Sequence, residues 1–314
     1  MRVRRGVSPA CVLRLLLGAA VLAAGALAPA AGAQELEPRS YSNTPVGMNF
    51  LIAGYAYQEG DVVTDPSLPL EDANVTAHTA VLAYARSFGL FGRSGKVDVI
   101  VPYSWVDGTA TVRGEPEERI VDGFNDPRLR VSYNFYGAPA LTLPAFLAWE
   151  QDLVIGASFQ MTLPLGQYDE DRLVNIGTNR WSIKPELGIS KTLGPVTLEV
   201  APSVTYYTDN GDFFGGTTRR QAPRYAVQGH VIYRFGAPLW GSLDGTYYGG
   251  GRTSIDGTEN DDEQSNARVG ITLALSVTRH HSVKLYGSKA VATKLGGDFD
   301  LVGLALQYRW GGGL

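Results

Sequence analysis

Cysteine is nearly absent: the 314 residues hold one, Cys11, near the N-terminus. A chain without a second thiol has no disulfide staple and no cysteine metal site. Long apolar runs are missing too. After Gln34 no stretch of 18 or more apolar residues occurs, which excludes a membrane-spanning helix. There is no basic cluster and the formal charge is −4, so nucleic acid is not an expected partner. Histidine is sparse, with His78, His230, His280 and His281 only. The H-E-x-x-H, G-x-S-x-G and G-x-x-x-x-G-K-[ST] signatures and the G-x-G-x-x-G fingerprint are all lacking. The expectation is a protein that is not an enzyme and that needs no metal and no cofactor.

What is present begins with the compartment. Arg2, Arg4, Arg5 and Arg14 precede an apolar run from Leu15 to Leu27, followed by the small-residue site Ala31-Gly32-Ala33. This is the layout of a secretory signal peptide cleaved before Gln34, so residues 1–33 are expected to be leader and 34–314 one domain. Cys11 leaves with the leader. Without the leader's four arginines, 23 Lys and Arg stand against 31 Asp and Glu.

The mature chain is rich in turn-forming and strand-forming residues, with 38 Gly, 16 Tyr and 5 Trp in the whole sequence. Apolar and polar residues alternate with period two. Val97, Val99, Val101, Tyr103 and Trp105 alternate with Lys96, Asp98 and Ser104; Val269, Ile271, Leu273, Leu275 and Val277 alternate with Arg268, Thr272 and Ser276. Twelve such strands are predicted, near 48–58, 75–88, 96–106, 128–136, 152–163, 181–192, 196–207, 224–235, 239–249, 268–278, 282–291 and 302–310. Their connections alternate in length. Long polar ones at 59–74, 107–124, 166–180, 209–222 and 250–265 are separated by tight turns such as Leu193-Gly194-Pro195. That sorting by parity belongs to a transmembrane barrel, with short turns on one side of the membrane and long loops on the other. The fold class expected is all-β: an up-and-down antiparallel transmembrane β-barrel of about 12 strands in the outer membrane.

Each strand then has two solvents. In the stretch from Trp181 to Ile189, Ile183, Leu187 and Ile189 face lipid while Lys184 and Glu186 face an enclosed interior. Pro185, with Pro102 and Pro202 in other strands, lacks an N–H and is expected to break or bulge the ladder. Candidate lumen and transport residues are Arg128, Arg130, Asp152, Arg180, Lys184, Glu186, Glu199, Arg224 and Arg234. Two readings of this mixed-charge set stay open: a constriction that selects solutes, or ion-paired side chains that fill the interior. Trp105, Trp181, Trp240, Tyr308 and Trp310 are expected at the headgroup levels as interface aromatics. The acidic stretch 256–263 reads either as a divalent-cation loop or as a solvated surface loop, and 138–149 as a short helix or a cap.

Several segments resemble a known family. Arg39-Ser40-Tyr41, Pro45-Val46-Gly47-Met48-Asn49-Phe50, Asp126-Pro127-Arg128, Pro164-Leu165-Gly166-Gln167-Tyr168 and Asn175 through Glu186 are similar to the meta-pathway of phenol degradation family of bacterial outer-membrane proteins, which are transporter-like. The resemblance spans nearly all of the mature chain and implies a membrane barrel that passes hydrophobic or aromatic compounds. It names no substrate and no catalytic residue. The functional expectation is an outer-membrane channel or porin for passive uptake of small molecules. Its partners are outer-membrane lipid, a small-molecule solute and the barrel-assembly machinery. The alternative is a structural or adhesive barrel with a side-chain-filled lumen.

Overall fold

The structure, a computed structural model, describes residues 36–61, 70–112 and 115–314. The leader expected over 1–33 lies outside the described residues. In chain order the strands are β1 (Met48–Asp61), β2 (Leu70–Leu90), β3 (Arg93–Val112), β4 (Glu115–Phe124), β5 (Arg128–Tyr136), β6 (Leu153–Thr162), β7 (Ser182–Leu193), β8 (Val196–Tyr207), β9 (Asn210–Phe213), β10 (Thr217–Gln221), β11 (Arg224–Arg234), β12 (Leu239–Gly250), β13 (Thr253–Ile255), β14 (Thr258–Glu259), β15 (Gln264–Ser276), β16 (His281–Ala292) and β17 (Asp298–Gly311). Among the described residues there is one short helix, α1 (Leu143–Leu147), ahead of β6.

Twelve of these strands form a closed antiparallel barrel in the order β1-β2-β3-β5-β6-β7-β8-β11-β12-β15-β16-β17. Closure comes from β17 pairing back onto β1, with Met48 opposite Gly311 and Asp61 opposite Asp298. A closed sheet leaves no edge of unpaired amides, which is the condition for a sheet to stand in hydrocarbon. At one end, the turn end, connections are tight. Phe91 and Gly92 join β2 to β3 with φ of 47° and 72°, the two positive φ values that a type I′ hairpin needs. Gly194 and Pro195 join β7 to β8.

The walls are inverted relative to a soluble protein. Leu82, Leu187, Leu243, Ile271 and Leu306 lie exposed on the outside, whereas Asp98, Ser158, Glu186, Glu199, His230, Asp244, Arg268 and Thr272 are buried inside. Each large apolar side chain left in water forgoes roughly 1.5–3 kcal/mol of burial. A band of them around the whole circumference is stable only against an apolar solvent. The alternation read from the sequence therefore sorts lipid from lumen, and the twelve expected strands coincide with the twelve barrel strands.

Two expectations change. The stretch 107–124, read as a loop, is strand over its described residues, as are the described ends of 59–74: β1 runs to Asp61, β2 starts at Leu70, β3 runs up to Val112, and β4 returns beside it. The outer half of β3 pairs with β4 and the inner half with β5, so β4 and β5 together complete one wall position. Residues 209–222 and 250–265 likewise hold β9, β10, β13 and β14, a four-stranded sheet at the loop end. Proline does not bulge the wall at β7. Pairing between β7 and β8 passes from Ile183–Tyr206 to Glu186–Ser203 and then to Ile189–Val200 in an unbroken register, so Pro185 and Pro202 leave gaps in the ladder without shifting it. The 138–149 segment forms α1 at the turn end, none of whose residues is buried.

Where β4 gives way to β5, Asp126 is a buried hub. Its Oδ1 accepts from Gly166 N at 2.9 Å, and its Oδ2 from Thr178 N at 2.8 Å and Thr178 Oγ1 at 2.6 Å. The carboxylate thereby pins the 163–181 connection against the wall. Replacing Asp126 with alanine strands those donors and is expected to loosen the connection by about 1–3 kcal/mol. Protease cleavage within 163–181 of the folded protein should accelerate; an unchanged cleavage rate would assign the anchoring elsewhere.

Candidate functional site

The lumen is built from the inward positions of β3, β5, β6, β7, β8, β11, β12 and β15, and the chain ahead of β1 enters it. Residues 36–47 rise from the turn end into the interior. They are held there by polar contacts and by burial of the Tyr41 ring. At the exit, Val46 N donates to Leu141 O (2.9 Å), Gly47 N to Ser87 O (3.1 Å), and Asn43 Nδ2 to Pro139 O (3.0 Å). Higher up, Tyr41 Oη donates to Glu186 Oε1 (2.9 Å) and lies 3.3 Å from Ser158 Oγ. Lys96 Nζ donates to Ser40 O (2.6 Å), Arg39 N to Glu199 Oε2 (2.7 Å), and Glu37 N to Gln228 Oε1 (3.4 Å). Glu37 also pairs with Arg130. Leu36 lies against β15, where a Cβ on Gly270 would come within 2.5 Å of its Cδ1. Strands across the lumen from one another are thus bridged by one internal segment, a plug.

The plug is locally tight. Pro38 to Tyr41 form a turn, with Ser42 N donating to Arg39 O at 3.1 Å and Ser40 Oγ to Glu37 O at 2.8 Å. Arg39 adopts φ of 69°, a left-handed conformation that a non-glycine residue occupies at a cost of about 1 kcal/mol or more. The carboxylate on its amide and the ring of Trp240, 5.3 Å from its guanidinium carbon, hold it there. Burial pushes the Tyr41 phenol up from its ordinary value, and the Glu186 carboxylate pushes the same way, so Tyr41 stays a donor.

Around the plug the expected lumen residues are brought together in part. Arg130 Nε donates to Asp98 Oδ1 and Oδ2 at 3.3 and 3.1 Å while its other arm meets Glu37. Lys184 Nζ is 3.8 Å from Glu186 Oε2. Glu199 Oε1 accepts from Ser190 Oγ at 2.8 Å. Arg128 shares the inward phase of Arg130 on β5 and is half-buried. Arg180 and Arg224 belong to the loop end. Arg180 Nη2 donates to Gln221 Oε1 at 2.5 Å and its guanidinium lies 4.6 Å from the Tyr207 ring, while that of Arg224 lies 5.9 Å from the Tyr248 ring.

Two assignments are corrected. Asp152 stands outside the lumen: β6 starts one residue later, and the Asp152 side chain is 78% exposed at the turn end, paired with Lys191. Arg234, by contrast, keeps its inward place: it ends β11 exposed at the turn-end mouth, directly paired with Trp240 and near enough to Arg39 of the plug for the two charges to repel. Trp240 is not a lipid-interface ring; it shares the inward phase of Ser242 and Asp244 and carries Arg39 on its face. The other aromatics do lie on the outside. Tyr308 stacks on Trp310 at 5.5 Å near Tyr84, Trp105 packs on Tyr103 at 4.8 Å, and Trp181 is exposed.

Sequence reasoning missed the plug and the partners of two inward-facing polar groups. His230 Nδ1 lies 2.8 Å from Asp244 Oδ1, and Thr272 Oγ1 donates to Asp244 Oδ2 at 2.9 Å, an unbroken row across β11, β12 and β15. Arg268, 2% exposed, donates to Gly297 O (3.0 Å), Phe299 O (2.9 Å) and Ser288 Oγ (3.1 Å), folding the β16–β17 connection inward at the loop end. The period-two phase of β11, β12 and β15 already aims these residues inward, and that phase was the available signal. In the acidic 256–263 loop, Asp262 accepts from Thr253 N at 2.8 Å, and Arg252 pairs with Glu259 and Glu263 at 3.5 and 3.4 Å.

The family model described as "Putative MetA-pathway of phenol degradation" matches residues 56–306. No curated protein matches the sequence. Among solved structures, an outer membrane channel from Pseudomonas putida F1 is similar at a TM-score of 0.72 and 19% identity, covering 88% of this chain and 100% of that one. The KdgM porin in complex with disordered oligogalacturonate reaches 0.45 at 9% identity, covering 82% and 98% of the two chains. The β domain of the Bordetella autotransporter BrkA reaches 0.48 at 10%, covering 85% and 99%. At 19% identity the first likeness establishes a shared fold, that of an outer-membrane barrel.

Proposed function

The chain belongs to the family described as putative MetA-pathway of phenol degradation, and from that premise we propose that it is an outer-membrane channel for passive uptake of small molecules, hydrophobic or aromatic ones among them, gated by residues 36–47. The observation that carries the gate is how the plug is held. Most of its anchors are hydrogen bonds and ion pairs with lumen side chains, which water can replace when the segment leaves. Apart from the buried Tyr41 ring, the segment exchanges protein partners for water, so that leaving costs only a few kcal/mol. With the plug withdrawn, Asp98, Arg130, Lys184, Glu186 and Glu199 line a passage whose mixed charges set solute and ion preference. Solute moves down its own gradient, and energy coupling has no role in this reading.

Export through a leader cleaved after Ala33 fits the same picture. Cleavage leaves only Gln34 and Glu35 ahead of Leu36, which already sits against β15.

The plug also favours a second reading, a structural barrel whose interior is permanently filled. Planar-bilayer recording of the protein lacking residues 36–46 separates the two. The channel reading expects steady current from the deletion and rare, brief openings from the intact protein. It also expects reversing both Lys184 and Glu186 in the deletion background to shift the reversal potential. A folded deletion variant that passes neither ions nor solute leaves the structural reading standing.

A further inference from the structure

Tyr41 does more than touch the wall; its ring lies in a recess that the wall provides. Gly156 of β6 and Gly188 of β7 are directly paired and both face inward. A Cβ on Gly188 would overlap the Tyr41 ring, and one on Gly156 would stand 2.9 Å from its Cδ1. Two residues along, Ser158 and Glu186 are again a directly paired couple, and they close the recess on the phenol oxygen at 3.3 and 2.9 Å. Floor and polar end are therefore set on two adjacent rigid strands, independent of the segment that supplies the ring. Tyr41 itself is 2% exposed.

We propose that this recess is a hydroxyaryl-binding site of the channel, and that Tyr41 is its resident occupant. A free phenol offers what Tyr41 offers: a flat single ring for the Gly156–Gly188 floor and one hydroxyl donor for Glu186. Bound there, it takes the place of Tyr41 and releases the anchor of the plug at that level, so the solute opens its own path. The inference rests on reading the barrel as a plugged channel. The chemistry of the recess sets the selectivity. A ring without a hydroxyl leaves the buried Glu186 carboxylate without its donor, a loss worth about tenfold or more in affinity. An aryl carboxylate meets Glu186 with like charge and is rejected. A saturated six-membered ring is too thick for a floor from which two side chains have been removed.

The test uses 4-methylphenol, which has the ring and hydroxyl of a tyrosine side chain, with the full chain in detergent. Tyr41→Gly empties the recess without altering the wall. We expect this variant to bind 4-methylphenol at least about tenfold more tightly than the unaltered protein does, and at least about tenfold more tightly than it binds toluene. Tyr41→Gly with Gly188→Ala should lose that binding, because the added methyl takes the ring's place in a site with room for the methyl alone. Tyr41→Gly with Glu186→Gln, which keeps the shape, should lose about tenfold. Calorimetry or ligand-observed NMR reads all four proteins. Equal binding of 4-methylphenol and toluene by the Tyr41→Gly variant, or binding indifferent to Gly188→Ala, overturns the site. Current through the 36–46 deletion with no such selectivity leaves the channel and removes the site. Selective binding with a silent deletion does the reverse.

Discussion

Replacing Leu243 with arginine is expected to destabilise the barrel by about 2–4 kcal/mol in lipid vesicles, as a cation placed near the bilayer midplane does. Leu243 is 65% exposed, lies on the outer face of β12, and pairs directly with Ile271 of β15. By the measure of exposure alone, the substitution should be harmless. Ile120 is the control. It is 68% exposed on β4, in the hairpin beyond the point where β3 leaves β5, and there arginine should stay within about 0.5 kcal/mol of the original. Two side chains of equal exposure thus report two different solvents. Denaturant titration in vesicles of both variants gives the comparison, and equal costs would mean that β12 does not touch hydrocarbon.

Removing the two carboxylates that hold the plug is expected to raise its open fraction by about a hundredfold or more. Glu186 and Glu199 accept from Tyr41 Oη and Arg39 N at 2.9 and 2.7 Å. Hydrogen bonds to charged groups contribute about 1.5–3 kcal/mol each, so the pair amounts to about 3 kcal/mol at the low end, and 1.4 kcal/mol is a factor of ten. Single-channel recordings of the Glu186→Ala, Glu199→Ala protein should show frequent openings to the level of the 36–46 deletion. Glu259→Ala, in the loop-end sheet, should leave the record unchanged. A double variant that opens no more often than the unaltered protein would place the hold on the plug elsewhere, at Lys96 or Arg130.

The barrel was legible because its two faces meet solvents of opposite character. In 268–278 every outward position is Val, Ile or Leu, and the inward ones include Arg268 and Thr272, so the phase cannot be mistaken. In β12 the outward positions include Gly241, Gly245 and Gly249, which leave no continuous apolar stripe. Trp240 was therefore assigned by its position at a strand end, and it landed on the wrong side. Asp152 has the right phase but lies where the wall ends, and phase carries no information on height. The β2, β3 and β4 extensions were read as loops because strands with water on both sides need no alternation. The plug was hidden for a different reason. Residues 36–47 have no period, and their partners stand far off in sequence, Glu186 145 residues from Tyr41 and Glu199 160 from Arg39. Only closure of the barrel brings them together. The paired glycines of the recess were invisible on the same ground, since nothing in either strand says that Gly156 and Gly188 share a register.

The division of each strand between lipid and an enclosed polar passage can be measured directly, because apart from Cys11 the chain has no cysteine to interfere. Spin labels at single cysteines replacing Ser242, Leu243, Thr246 and Tyr247 of β12 sample both faces in one strand. In bilayers, the labels at 243 and 247 are expected to relax with dissolved oxygen and to ignore a polar nickel complex, and those at 242 and 246 are expected to show no such lipid signature. Oxygen accessibility that is equal at all four positions, or highest at 242 and 246, would contradict the account.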